Sequence, residues 1–326
     1  MRTRLRDRFE ISPHRYAQVT ALALGALAMI VLTGAAVRLT DSGLGCPDWP
    51  RCYGGTTPPL ESHAIIEYSN RIFTGIVGVT VIAAAVLAFF RKPYRWHLAL
   101  FGALLPLGVI GQAILGALVV KYHLSPGLVM SHFILSMVLL DAAFALAWCS
   151  RYEPWERRRS RDHLGVWAVR ALIPFGQLTI LAGTITTASG PHAGAHAGQL
   201  VHRFSFEGRD TLEWMVQRHA TIAAVYGLAA IGVWFILRRP GGDRRALKPL
   251  TVVIGLLALQ GLIGGVQWWL KLPTELVWLH VGVATANWLA MLWTVAAAGR
   301  LEPRDPARLA ALERAEQPPR ATAGAL

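Results

Sequence analysis

Three histidines stand inside long apolar runs of this chain: His132, His219 and His280. An imidazole left without a partner among hydrocarbon is costly, so each is either hydrogen-bonded or put to use. All three fall in the first turns of their runs, hence at one common depth. His219 and His280, 61 residues apart, can face each other across one helical bundle. Two imidazoles so placed suit axial ligation of a haem iron. A tetrahedral zinc site would want further Cys, His or carboxylate ligands close by. For any one of these residues, the plain alternative is a hydrogen-bonded core histidine.

An internal repeat extends the argument to the first half. "GQAILGALVVKYHLSPGLVMSH" and "LQGLIGGVQWWLKLPTELVWLH" share one frame, in which Gln112, Gly116 and His132 match Gln260, Gly264 and His280. A weaker echo links "LTGAAVRLTDSG" around Gly34 to "LAGTITTASG" around Gly183. His132 thus corresponds to His280, and the counterpart of His219 is Asn70. An amide is a poor ligand to haem iron, so the first half would hold a haem-like molecule by His132 alone, with one face open. Glu67 lies three residues before Asn70, nearly one helical turn. It can act on a molecule bound at that open face, or simply pair with Arg71 or Arg38. The pattern predicts a division of labour, with a saturated electron-carrying centre in the second half and an open, acid-bearing site in the first. Arg71 and Arg218 flank the ligand positions and can meet haem propionates or lipid headgroups.

The elements that position these residues are membrane helices. The chain has 326 residues, 54% of them hydrophobic. A hydrocarbon core needs about 20 apolar residues per helix. Eight runs qualify, near 17–37, 64–90, 98–120, 128–149, 164–187, 213–237, 249–270 and 276–299. Strand alternation is absent, and backbone groups in lipid must pair internally. The first run is too long for a removable signal and lacks a cleavage site. The expected fold is all-α and integral to the membrane, eight helices forming two pseudo-symmetric four-helix bundles related by an axis along the membrane normal. The divisions are a basic N-terminus (1–16), an N-terminal bundle (17–150), a linker (151–163), a C-terminal bundle (164–299) and a tail (300–326).

The net charge of +13 does not point to nucleic acid, because it is sided. With eight spans, 24 of the 32 Lys and Arg fall on the side of both termini. That bias puts the termini in the cytoplasm of a plasma-membrane protein and its basic segments against lipid headgroups. The loop "GLGCPDWPRC" then faces an oxidising compartment, where Cys46 and Cys52 can form a disulfide, either a structural staple or a reducible, redox-active pair. Cys149 lies at the cytoplasmic end of the fourth span as an inert thiol.

With these residues in place, the sequence resembles the haem A synthase family, membrane enzymes that oxidise the C8 methyl of haem o to the formyl group of haem a. The resemblance rests on "TGAAVRLTDSGLGCPDWPRC", "IEYSNR", "SPGLVMSHFILSM", "GPHAG" and the histidines of the sixth and eighth spans, and covers Thr33 to about Trp293. It implies that His219 and His280 are the axial ligands of a haem b. His132, with Asn70 and Arg71 nearby, would belong to the substrate haem site, and Glu67 would be the catalytic acid. Cys46 and Cys52 would form a disulfide supporting substrate transfer or electron handling. Asn70 departs from the family, many members having a fourth histidine there, which weakens bis-His ligation of the substrate iron. The implied partners are the farnesyltransferase that makes haem o, terminal oxidase assembly, membrane lipid and an electron acceptor that no residue identifies, and a homo-oligomer is compatible with the chain.

Two other classes compete. A non-catalytic dihaem b-type electron carrier predicts two symmetric bis-His sites, which Asn70 opposes. A transporter built on an internal repeat predicts Gly/Pro-broken helices at the midplane, whereas the polar residues here gather near one face. Three features remain open. His192, His196 and His202 fall in a Gly- and Pro-containing loop expected to be solvated or to cover substrate. Asp141 must face the bundle, as part of a proton path or as a partner to a hydroxyl. The tail can form a short surface helix before disorder begins.

Overall fold

Capping residues and apolar length together delimit the helices. Ser12 accepts the Arg15 N–H at 3.3 Å and Pro13 opens the first helix, an arrangement that uses an N–H the helix would leave unpaired. Asp162 and Asp210 cap two later helices in the same way. The computed structural model describes residues 10–157, 159–196, 199, 201–206, 210–303 and 305–317. Its long helices are α1 (Pro13–Leu39), α2 (Ser62–Leu87), α3 (Trp96–Lys121), α4 (Pro126–Arg151), α5 (His163–Ser189), α6 (Thr211–Arg238), α7 (Leu247–Trp269) and α8 (Thr274–Ala298). All eight are long and apolar enough to cross a membrane. Their outward faces carry exposed Val79, Leu107, Leu228 and Leu262, side chains that hydrocarbon accepts and water does not. The protein is an all-α, multi-pass membrane protein.

Helices α1 to α4 form one ring, α1 packing on α2 and α4, and α3 on α2 and α4. Helices α5 to α8 close a second ring, with α5 against α6 and α8, and α7 against α6 and α8. The rings touch through α1, α4, α5 and α8. The repeat is also present in backbone conformation. In the α3–α4 turn, His123 and Leu124 are left-handed (φ 48° and 57°), and in the α7–α8 turn their counterparts Lys271 and Leu272 are too (φ 64° and 63°). In both turns the leucine N–H returns to a carbonyl of the preceding helix, Leu124 to Val119 at 2.8 Å and Leu272 to Gln267 at 2.6 Å.

Ion pairs lock the end of the molecule opposite the Cys46–Cys52 loop. The buried Arg91 pairs with Glu153, which Arg95 also reaches at 3.5 Å. Strands β1 (Arg159–Ser160) and β2 (Arg300–Leu301) pair in parallel. A short helix α9 (Pro306–Ala315) follows, and Glu316 beyond it binds Arg300 at 2.7 Å and Arg159 at 3.0 Å. The basic stretch 1–9 and residues 318–326, where disorder is expected, lie outside the described residues.

Candidate functional site

In the second ring, His219 on α6 and His280 on α8 meet with ring centroids 6.2 Å apart and planes inclined at 66°. His219 donates its Nδ1 proton to the Thr179 carbonyl of α5 at 3.1 Å. That bond leaves the Nε2 lone pair free, as metal-ligating histidines commonly require. Gly183 permits the arrangement, since a Cβ there would stand 2.9 Å from His219 Cε1. Gly264 lies similarly beneath His280, whose Cε1 would be 3.4 Å from an added Cβ. Gln260 donates to the His280 carbonyl at 3.0 Å, and His280 Nδ1 is buried without a partner. With imidazole–metal bonds of about 2 Å, two rings trans across one ion have centroids roughly 6 Å apart. The pair therefore fits an iron held between two imidazoles.

The first ring repeats the supports without repeating the pair. Gln112 donates to the His132 carbonyl at 3.0 Å, and Gly116 lies under His132, whose Cε1 would be 3.7 Å from a Cβ. Like that of His280, Nδ1 of His132 is buried without a partner. At the position matching His219, Asn70 accepts a hydrogen bond from Thr33 Oγ1 at 2.8 Å. Gly34, the counterpart of Gly183, has nothing within 4 Å of a Cβ position. Among the described residues, His132 bonds neither Asn70 nor Glu67.

Glu67 is buried and belongs to a separate cluster with the disulfide loop. Its Oε2 accepts the Cys46 N–H at 2.7 Å, and its Oε1 pairs with Arg71 one turn on. Arg71 also donates to the carbonyls of Asp48 and Arg51, both at 2.8 Å. Asp48 shapes the same loop by accepting the N–H groups of Tyr53 and Gly54 at 2.7 and 2.8 Å. Cys46 and Cys52 are disulfide-bonded and fully buried. Gly45 is required where this loop crosses α2, since a Cβ would lie 2.3 Å from the His63 carbonyl oxygen. Arg71 is thus committed to Glu67 and the loop, and Arg218 rests over the Trp214 ring at 4.9 Å.

The loop between α5 and α6 reaches across to the first ring. His196 stacks on His63 with centroids 5.2 Å apart, and the Gly43 N–H donates to the Gly194 carbonyl at 2.7 Å. His192 donates to the Leu272 carbonyl at 2.7 Å, whereas His202 lines a depression with Lys121 and His123. Deeper in the molecule, Asp141 on α4 accepts the Trp288 indole N–H of α8 at 2.7 Å, joining the two rings.

Arg38, expected as an alternative partner of Glu67, takes another role, and Arg203 and Lys271 were not apparent from residue types. Arg38 crosses between rings to the carbonyls of Thr187 (2.8 Å) and His192 (2.9 Å). Arg203 meets the same Thr187 carbonyl at 3.1 Å and also that of Gly190, and burial pushes its guanidinium pKa down. Lys271 shares a cavity with Arg203. Backbone acceptors leave no trace in residue type. The only available signal was Lys271 at the position matching His123.

A family model described as cytochrome oxidase assembly protein matches residues 17–292. The chain is 34% identical over 142 residues to a protein of Exiguobacterium sp. named heme A synthase, covering 42% of this chain and 47% of that one. It is 34% identical over 124 residues to a heme A synthase of Halalkalibacterium halodurans, covering 37% and 41%. With a heme A synthase of Alkalihalophilus pseudofirmus, identity is 37% over 136 residues, covering 40% and 44%. The matched stretches thus span less than half the length of these relatives. The family match runs through all eight long helices and both histidine sites, and on that ground the chain belongs to the cytochrome oxidase assembly protein family, with heme A synthases among its relatives.

Proposed function

We propose that this protein is a haem A synthase, oxidising the C8 methyl of haem o to the formyl of haem a for terminal oxidases. One observation carries the reading: in the second ring His219 faces His280 at 6.2 Å, whereas in the first ring the position matching His219 is Asn70, tied to Thr33. A haem b between His219 and His280 would supply one-electron transfer with no position open to substrate. Haem o is the substrate of the first ring, bound through His132 and open on the Asn70 side.

The conversion needs water and an electron sink. In the first round the methyl group and one water give a hydroxymethyl group, two protons and two electrons. A second round gives a gem-diol, which loses water to leave the aldehyde. Glu67 is the group that takes up protons from the attacking water, or stabilises positive charge developing on the ring carbon. Its Arg71 and Cys46 contacts occupy one lone pair on each oxygen, and a carboxylate has about four acceptor sites in all. Electrons pass to an external acceptor. The charge bias puts the disulfide-loop end outside the plasma membrane, and the chain's partners are the source of haem o and the assembling oxidase.

Expression beside a haem o producer, followed by chromatography of extracted haems, tests this function. Haem a should accumulate. Unchanged haem o together with haem b would overturn it in favour of an electron carrier.

A further inference from the structure

At the disulfide-loop end of the second ring, a cavity of about 500 Å³ is lined by Ser189, Gly190, Arg203, Leu212, Trp268 and Lys271, among others. Its place is set by the helices that build the histidine pair. Leu212 lies two turns before His219 on α6, Trp268 one turn beyond Gly264 on α7, and Gly190 two turns beyond Gly183 at the end of α5. Each separation returns to the same helix face. The cavity therefore sits one to two turns outward of the two imidazoles, a span that a porphyrin's radius and its propionate arms cover.

The cavity is cationic and lacks a counter-charge. Among the described residues, neither Arg203 nor Lys271 forms an ion pair. Arg203 spends its Nη2 on the carbonyls of Thr187 and Gly190, and its Nε is buried without a partner. Arg38, from the first ring, brings a second guanidinium to the Thr187 carbonyl that Arg203 also meets, adding positive charge beside the cavity. Trp268 and Leu212 supply apolar walls. A ligand that fits has an apolar body directed at the histidines and anionic groups at its outer edge.

We propose that this cavity binds the propionate carboxylates of the haem held between His219 and His280, with Arg203 and Lys271 as their cationic contacts. The assignment rests on the haem site proposed above. It replaces Arg218, the propionate partner that sequence position suggests for this haem, whose guanidinium rests over the Trp214 ring.

The test compares binding of haem b and of its dimethyl ester to the full-length protein and to R203Q and K271Q. Wild type should prefer the free acid, and each variant should lose roughly tenfold of that preference. The midpoint potential of the bound haem should also fall in each variant, because removing a positive charge favours the ferric form. K271Q keeps the experiment decisive if R203Q misfolds, since the Lys271 side chain makes no hydrogen bond among the described residues. Equal binding of acid and ester by wild type, or undiminished preference in K271Q, overturns the proposal. So does loss of co-purifying phospholipid from the variants with haem discrimination unchanged, which would assign the cavity to a lipid phosphate. Retention of haem b by both His219→Ala and His280→Ala would instead overturn the underlying haem site.

Discussion

Glu67 Oε2 accepts the backbone N–H of Cys46 at 2.7 Å, so the acid of the first ring and the disulfide loop form one hydrogen-bonded unit. Arg71 closes the unit by joining the other carboxylate oxygen to the loop carbonyls of Asp48 and Arg51. A change on either side of this bond should be felt on the other.

Glu67→Gln keeps the size of the side chain and an acceptor for Cys46 but removes the charge that Arg71 neutralises. Haem should remain bound, while haem a yield falls by about 100-fold or more. Conversion should stop at the alcohol or earlier, as read by chromatography of extracted haems. Full yield would remove Glu67 from the mechanism.

Cys46→Ser and Cys52→Ser each open the loop. Closing a loop this short contributes about 2 kcal/mol by restricting the unfolded chain. Thermal unfolding in detergent should show wild type dropping to the variants' Tm when reductant is added, with the variants unmoved. Identical curves under both conditions would mean that the bridge adds no stability.

Gly183→Ala and Gly34→Ala test the asymmetry of the two rings at matched positions. At Gly183 the new Cβ would stand 2.9 Å from a His219 ring already tied to Thr179. Haem b content should fall and the low-spin spectrum should shift. Gly34→Ala meets nothing within 4 Å and should match wild type. Equal effects at both positions would contradict the asymmetry.

Asn70→His places an imidazole where the repeat expects one. A second low-spin ferric signal should appear in electron paramagnetic resonance when haem fills the first ring, alongside that from His219 and His280. An unchanged spectrum in haem-replete protein would mean that position 70 does not face the substrate iron.

Asp162 links stability to pH. Burial raises its carboxyl pKa, but the N–H groups of Asp243 and Gly165 and the Arg239 guanidinium outweigh that, holding it below the usual carboxylate range. Neighbouring Asp243 is lowered in the same sense by Arg245 and Ser160 against its own burial. A depressed folded pKa means that the unfolded chain binds more protons, so this stability is present above about pH 4 and is lost as pH falls through the folded value. Asp162→Asn should be less stable than wild type at pH 7, with the gap in Tm closing toward pH 3. A gap constant across that range would exclude the linkage.

Much of this architecture is written in the chain because lipid acts on each segment separately. A hydrocarbon core demands apolar runs of a certain length with internal backbone pairing, and all eight could be delimited to within a few residues. The first-turn positions of His132, His219 and His280 in their apolar runs put them at one depth, a reading that needs no tertiary knowledge. Residue types alone left open whether Glu67 pairs with Arg71 or Arg38, and what Asp141 meets. Those outcomes depend on how each helix is rotated about its axis and which backbone groups it thereby exposes. Glu67 found a peptide N–H 21 residues away, Asp141 an indole 147 away, and Arg38 a carbonyl 149 away in the other ring. Every residue carries a peptide N–H or carbonyl, so no side-chain pattern marks the one that will be used, and only lateral packing of the helices decides it.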